Sequence, residues 1–147
     1  MREWMRMAGT VVMVATMALP VTTLADDEDV IEYRQRIMKA LNEQAGALGQ
    51  ILSTAIPDDD AVAHIEAIAL TASTSLKSFE PKVPGGEAKP EVWAQWQDFS
   101  KRMNEFARKT ADLAKTAREK GKDVALENAL DALTCKSCHD VYRAQKK

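Results

Sequence analysis

The stretch PEVWAQWQDFSKRMNEFARKTADLAKTAREKG, residues 90–121, decides the fold. Val92, Trp96, Phe99, Met103, Phe106, Thr110, Leu113 and Ala117 recur in steps of four and three, which lines them up along one face of an α-helix. Pro90 and Glu91 start that helix, because a proline in the first turn forfeits no intrahelical hydrogen bond. Gly121 ends it. A helix with so long an apolar face buries it against other helices.

The same rhythm continues on both sides. Upstream, Asp26, Asp27 and Asp29 suit a cap and first turn, and Val30, Ile37, Leu41, Leu48 and Leu52 form a stripe that should end near Ile56-Pro57. Asp58, Asp59 and Asp60 then cap a second helix, whose inward series is Val62, Ile65, Ala69, Ala72, Leu76 and Phe79. From Pro81 to Pro90, with Pro84-Gly85-Gly86 between them, no helix can continue, and this is the longest loop. Downstream, a last helix runs from about Asp123 with Leu126, Leu130 and Leu133 inward, and Val141 further on. The segments are rich in alanine and poor in β-branched residues, so the expected fold is all-α, an antiparallel four-helix bundle.

Residues 1–25 stand apart as a secretory signal peptide. Arg2 and Arg6 give a basic start, Met7 to Leu19 is an almost unbroken apolar run, and Thr23-Leu24-Ala25 supplies small residues for cleavage after Ala25. A membrane anchor would need about 20 apolar residues, and Pro20 ends this run early. Residues 26–147 then make one domain. The whole chain has 20 basic and 22 acidic residues; without Arg2, Arg6 and Glu3 the balance is 18 to 21, about minus 3. That balance carries no nucleic-acid footprint.

One stretch in the last helix carries chemistry: Cys135-Lys136-Ser137-Cys138-His139. On a helix both thiols and the imidazole fall on one face, so two sulfurs can bond to the vinyl groups of one porphyrin while a ring nitrogen reaches its iron. The expectation is one haem c per chain, covalent through Cys135 and Cys138, with His139 as proximal iron ligand. Structural zinc needs about four ligands, and beyond these residues only His64 remains. A thioredoxin-type pair would follow a strand, and a plain disulfide leaves His139 without a role. Haem c is attached outside the bacterial cytoplasmic membrane, which agrees with an exported, periplasmic protein.

Other haem contacts can be sought on inward faces. Arg34 interrupts the first apolar stripe, where a cation is costly unless an anion meets it; a haem propionate is one partner, and reaching along its stem to water is the alternative. Met38 lies one turn on. Five of the seven methionines leave with residues 1–25, so Met38 and Met103 remain. Met38 is a candidate distal iron ligand or distal-site gate, or core packing. His64 lies off its helix's apolar seam. Trp93 and Trp96 either cover a haem edge or fill the core.

Tyr33-Arg34-Gln35-x-x-Met38, Lys89-Pro90-Glu91-Val92-Trp93 and Cys135-Lys136-Ser137-Cys138-His139-Asp140-x-Tyr142-Arg143 together resemble the class II c-type cytochromes, the cytochrome c′ family. The resemblance spans essentially all of residues 26–147. It implies that Arg143 sits near the proximal haem face and that Arg34 approaches a propionate. It also implies a homodimer through the first two helices, with which Ile31 and Ile51 are compatible. At Met38 the resemblance divides: in one group the side chain packs over a vacant distal site, in the other a methionine from this region binds the iron.

Two functions follow. With the sixth position filled, the protein carries single electrons between periplasmic redox partners. With it open, the protein binds nitric oxide or carbon monoxide. The first is the expectation, since a five-coordinate haem also exchanges electrons. No enzyme activity is expected, because no hydrolytic constellation and no distal polar set can be identified.

Overall fold

A computed structural model of the chain describes residues 26–54 and 56–145; the expected signal peptide, residues 1–25, lies outside them. Among the described residues six α-helices follow in order: α1 (Asp27–Ser53), α2 (Ala61–Ser75), α3 (Glu91–Ala94), α4 (Trp96–Lys120), α5 (Lys122–Ala132) and α6 (Cys135–Tyr142). A 3₁₀ turn, Leu76–Phe79, extends α2. The described residues form no strand, only two isolated bridges. None of their helices is long and apolar enough to cross a membrane.

The four long helices, α1, α2, α4 and α5, make the bundle, and their cross-links run antiparallel. Arg34 early in α1 meets the loop after α2, whereas Gln44 later in α1 accepts through Oε1 from His64 Nδ1 early in α2 at 2.7 Å. Arg118 at the end of α4 pairs with Glu66 early in α2. Lys122, opening α5, reaches back to Asp58 at 2.5 Å. The start of α1 thus meets the end of α2 and the end of α4 meets the start of α2, as antiparallel neighbours do, while Lys122 ties the start of α5 to the start of α2 at the same end of the bundle.

Local chemistry explains most boundaries. Asp26 accepts the Asp29 N–H at 2.9 Å while Asp29 accepts the Asp26 N–H, a reciprocal cap that satisfies two otherwise unpaired donors. Gly121 breaks α4 from α5 with φ of +90°, a conformation costly for residues with a Cβ. Two expected helices are divided. Gln95, at φ −118° and ψ 42°, parts α3 from α4. Leu133 and Thr134 leave helical geometry, and the Ser137 N–H and hydroxyl both turn to the Thr134 carbonyl, which starts α6 as a separate helix.

The core has two parts. One, at the α1–α2 turn end, joins Leu48, Ile65, Ile68, Phe106 and Leu113 to a run of alanines. There α5 turns in Ala125, Ala129 and Ala132, with Leu126 and Leu133 on the flank. Leu130, expected inside, is 78% exposed, and Leu52 is exposed as well. Alanine on the inner face lets α5 approach α4 closely, so the larger side chains are displaced to the rim. The other part is aromatic: Phe79, Val92, Phe99, Met103 and Tyr142.

The loop between Phe79 and Glu91 straps this second part. Arg34 donates to the Val83 carbonyl at 3.1 Å and to the Gly85 carbonyl at 3.0 Å. Gly85 and Gly86 take φ of +140° and +62°, backbone that strains residues with a Cβ, and a Cβ on Gly85 would also lie 2.7 Å from Ile31 Cδ1 and have to push that side chain's tip aside. The far side of the strap binds the C-terminal segment. The Lys89 N–H donates to the Tyr142 carbonyl at 3.0 Å, the Ala144 N–H to the Glu87 carbonyl at 2.8 Å, and Lys89 Nζ to the Val141 carbonyl at 3.0 Å.

Candidate haem site

The cysteine and histidine motif is helical, as its spacing requires, and forms all but the last turn of α6. Beside it the aromatic part of the core encloses a cavity of about 530 Å³, within the roughly 300–1,000 Å³ common for cofactor sites. Met38, Phe79, Val92, Phe99 and Met103 give it apolar walls, and Cys138, His139, Tyr142 and Arg143 enter from α6. Gln35, Lys39, Asn42 and Glu87 supply polar groups. An apolar chamber with a thiol and an imidazole on one helix, and two arginines at its edge, fits an amphiphilic porphyrin with anionic propionates.

Five of the expected site residues therefore share one cavity: Arg34, Met38, Cys138, His139 and Arg143. Cys135 does not line it; the residue is exposed, three positions before Cys138. Neither cysteine is in a disulfide. Partial desolvation beside the cavity pushes both thiols above their ordinary value. Burial, aided by the positive charge of Arg143, pushes the His139 imidazole below its ordinary value. The neutral ring that results is the form that ligates a metal.

Arg34 is buried, at 3% exposure. Besides its two loop carbonyls, its guanidinium lies 5.2 Å from the ring centroids of Phe79 and Trp93. It thus occupies an aromatic slot and lines the cavity at once. Burial lowers its pKa, which remains far too high for deprotonation. Trp93, expected as a haem contact, does not line the cavity: its Nε1–H donates to the Phe79 carbonyl at 2.8 Å and its ring packs on Arg34. The indole nitrogen had to find an acceptor, and the carbonyl ending the 3₁₀ turn was in reach. Arg143 donates through Nε to Glu87 at 2.6 Å, so its charge is already shared with the strap.

His64 bonds to Gln44 between α1 and α2 and is not part of the cavity. Ile31 and Ile51 are half-buried against their own chain, Ile31 under Gly85 and Ile51 on the alanine part of the core. Several lining residues escaped sequence reasoning. Glu87 lay in a loop without periodicity. Phe99 and Met103 stood in the α4 stripe with nothing to separate cavity walls from ordinary core. Asp98 and Arg102, behind α6 and outside the cavity, carry only the spacing of an ordinary i,i+4 pair.

A helical bundle with a C-x-x-C-H helix over an apolar chamber defines a haem protein of the c type. A family model described as Cytochrome C' matches residues 29–143. The cytochrome c′ of Pararhodospirillum photometricum is 34% identical over 128 residues, covering 81% of this chain and 99% of that protein. Among solved structures, a ferrous variant of cytochrome c prime from Alcaligenes xylosoxidans with bound NO aligns at a TM-score of 0.74 and 26% identity, covering 84% of this chain and 100% of that one. A carbon monoxide-bound variant of the same protein aligns at 0.74 and 27% identity over the same shares. The chain belongs to the cytochrome c′ family. Its cofactor is haem c, covalently attached through Cys135 and Cys138.

Proposed function

We propose that the protein is a periplasmic haem c protein that binds nitric oxide or carbon monoxide in the chamber that Met38 lines. His139, neutral and carried on α6 into the cavity, would ligate the iron. Cys135 and Cys138 would tether the ring, and Arg34 and Arg143 would counter its propionates. A haem bound there would supply an iron able to take up a diatomic gas and to exchange one electron. The observation that carries this reading is the apolar wall of Met38, Phe79, Val92, Phe99 and Met103 in the same cavity as His139. An uncharged gas needs no polar partner to enter it. The family's solved members with bound NO or carbon monoxide support the reading.

Single-electron carriage between redox partners is the second reading, and one observation favours it. The Met38 thioether lines the cavity and is a competent soft ligand for haem iron. Visible spectra of both oxidation states, with and without carbon monoxide, separate the two. A high-spin ferrous spectrum that shifts on adding the gas is expected. A low-spin spectrum indifferent to the gas would refute gas binding, and its conversion to a gas-responsive one in Met38→Ala would assign the sixth ligand. Haem lost on denaturation would refute covalent attachment itself.

A further inference from the structure

The helix that carries the haem motif is poorly equipped to hold itself in place. It spans only Cys135–Tyr142, and its N-cap residue Thr134 makes no side-chain capping bond. Helices this short draw their stability from tertiary contacts. Beside the strap's bonds to the Val141 and Tyr142 carbonyls, those contacts come from one turn of α4. The Tyr142 hydroxyl donates to Asp98 Oδ2 at 2.5 Å, and Arg102 Nε donates to the same oxygen at 2.7 Å. Arg102 Nη1 then donates to the Ser137 carbonyl at 2.9 Å.

The two attachment points on α6, Ser137 and Tyr142, bracket Cys138 and His139. We propose that Asp98 and Arg102, acting with Tyr142, are positioning residues for the haem ligand: they fix the rotation of α6 on α4 and so aim the His139 imidazole into the cavity. This rests on the reading of His139 as iron ligand.

Packing alone does not account for the arrangement. The Tyr142 ring meets Phe99 edge-on at 5.1 Å, a contact that phenylalanine would keep. What the hydroxyl adds is direction. A ring held only by apolar contact can slide or turn, whereas a hydroxyl held by a charged acceptor fixes the ring's end point. The acceptor remains charged at neutral pH, because its two donors hold the Asp98 carboxyl below the usual range. Arg102, also 6.0 Å from the Tyr142 ring centroid, closes the triangle between the two helices.

The test uses the haem-loaded protein, with Tyr142→Phe and Asp98→Asn compared against Arg108→Gln, which breaks an exposed α4 pair with Asp112. Two readouts are taken: the iron–histidine stretching band of the ferrous protein by resonance Raman, and hydrogen exchange of the amides of residues 137–143. Tyr142→Phe and Asp98→Asn are expected to shift or broaden the band and to speed α6 exchange about tenfold, with haem still covalently retained. Arg108→Gln should change neither. A Tyr142→Phe protein with the parent band and parent exchange overturns the proposal, and this variant decides the matter if Asp98→Asn fails to fold. A parent protein with no iron–histidine band would instead sink the His139 reading, while α6 exchange in Tyr142→Phe still decides whether the clasp holds the helix.

Discussion

Replacing Arg34 with leucine tests whether a buried cation contributes to this fold or merely burdens it. Two opposing effects can be sized. Arg34 makes two charge-assisted bonds, to the carbonyls of Val83 and Gly85. At about 1.5–3 kcal/mol each these contribute about 3–6 kcal/mol. The two rings at 5.2 Å add about 0.5–2 kcal/mol. Against them stands the cost of removing a guanidinium from water, several kcal/mol even after relaxation, which leucine escapes. Val83 and Gly85 are half-exposed, so water can reach their carbonyls once the guanidinium is gone. We expect Arg34→Leu to cost about 2–4 kcal/mol net. The loss should be local first. The amides of Lys89 and Ala144, which tie the strap to the C-terminal segment, should exchange roughly thirty- to several-hundredfold faster at 1.4 kcal/mol per tenfold. Urea unfolding of the haem-loaded protein gives the total. A variant as stable as the parent, with unchanged exchange at those amides, would refute the idea that Arg34 holds the strap.

The remaining predictions concern packing and pH. Leu48→Ala, at a fully buried position, should cost about 2–5 kcal/mol in urea unfolding, whereas Leu130→Ala, at 78% exposure, should stay within about 0.5 kcal/mol. Ala129→Leu should destabilise by about 1–3 kcal/mol, because the α5 face against the core has no room for a larger side chain. Burial, with the Asp98 carboxylate beside it, pushes Tyr142 up to about 12. Since the folded value exceeds the unfolded one of about 10, this contribution to stability is complete below pH of about 10 and is lost as the pH rises through about 12. Unfolding followed by circular dichroism across that window should show the decline in the parent and a flatter profile in Tyr142→Phe.

How far the sequence reached depended on whether a feature was local. The steps of three and four in residues 92–117 described α4 well, because burial on one face of one helix leaves a period that needs no knowledge of neighbours. The motif at 135–139 was equally local. Arg34 stood out as a cation inside an apolar stripe, but its partners are backbone carbonyls 49 and 51 residues away, and carbonyls belong to every residue type. Glu87 and Arg143 are 56 residues apart and meet only because the strap crosses the C-terminal segment. Leu130 misled for a different reason. Leucine fits either face of a helix, and the choice of Ala125 and Ala129 for the inner face depends on how closely α4 approaches.

That choice of side chains also explains why the cavity stands at one end of the bundle. Where α5 meets α4, the inner faces offer Ala114, Ala117, Ala125, Ala129 and Ala132, and small residues let helices close until little space remains. The same end is tied across by Lys122 to Asp58. At the other end Phe79, Phe99, Met103 and Tyr142 stand between the helices, and their packing is tilted or edge-on rather than flat, with centroids 4.9 Å apart for Phe79 and Phe99. Rings at such angles hold helices apart without filling the gap between them. The strap and α6 then close the gap from the outside, each by hydrogen bonds to helices already fixed by the alanine end. The order of dependence follows from this: the closed end sets the helix axes, the rings set the separation, and the motif helix is placed last, by Asp98, Arg102 and the strap.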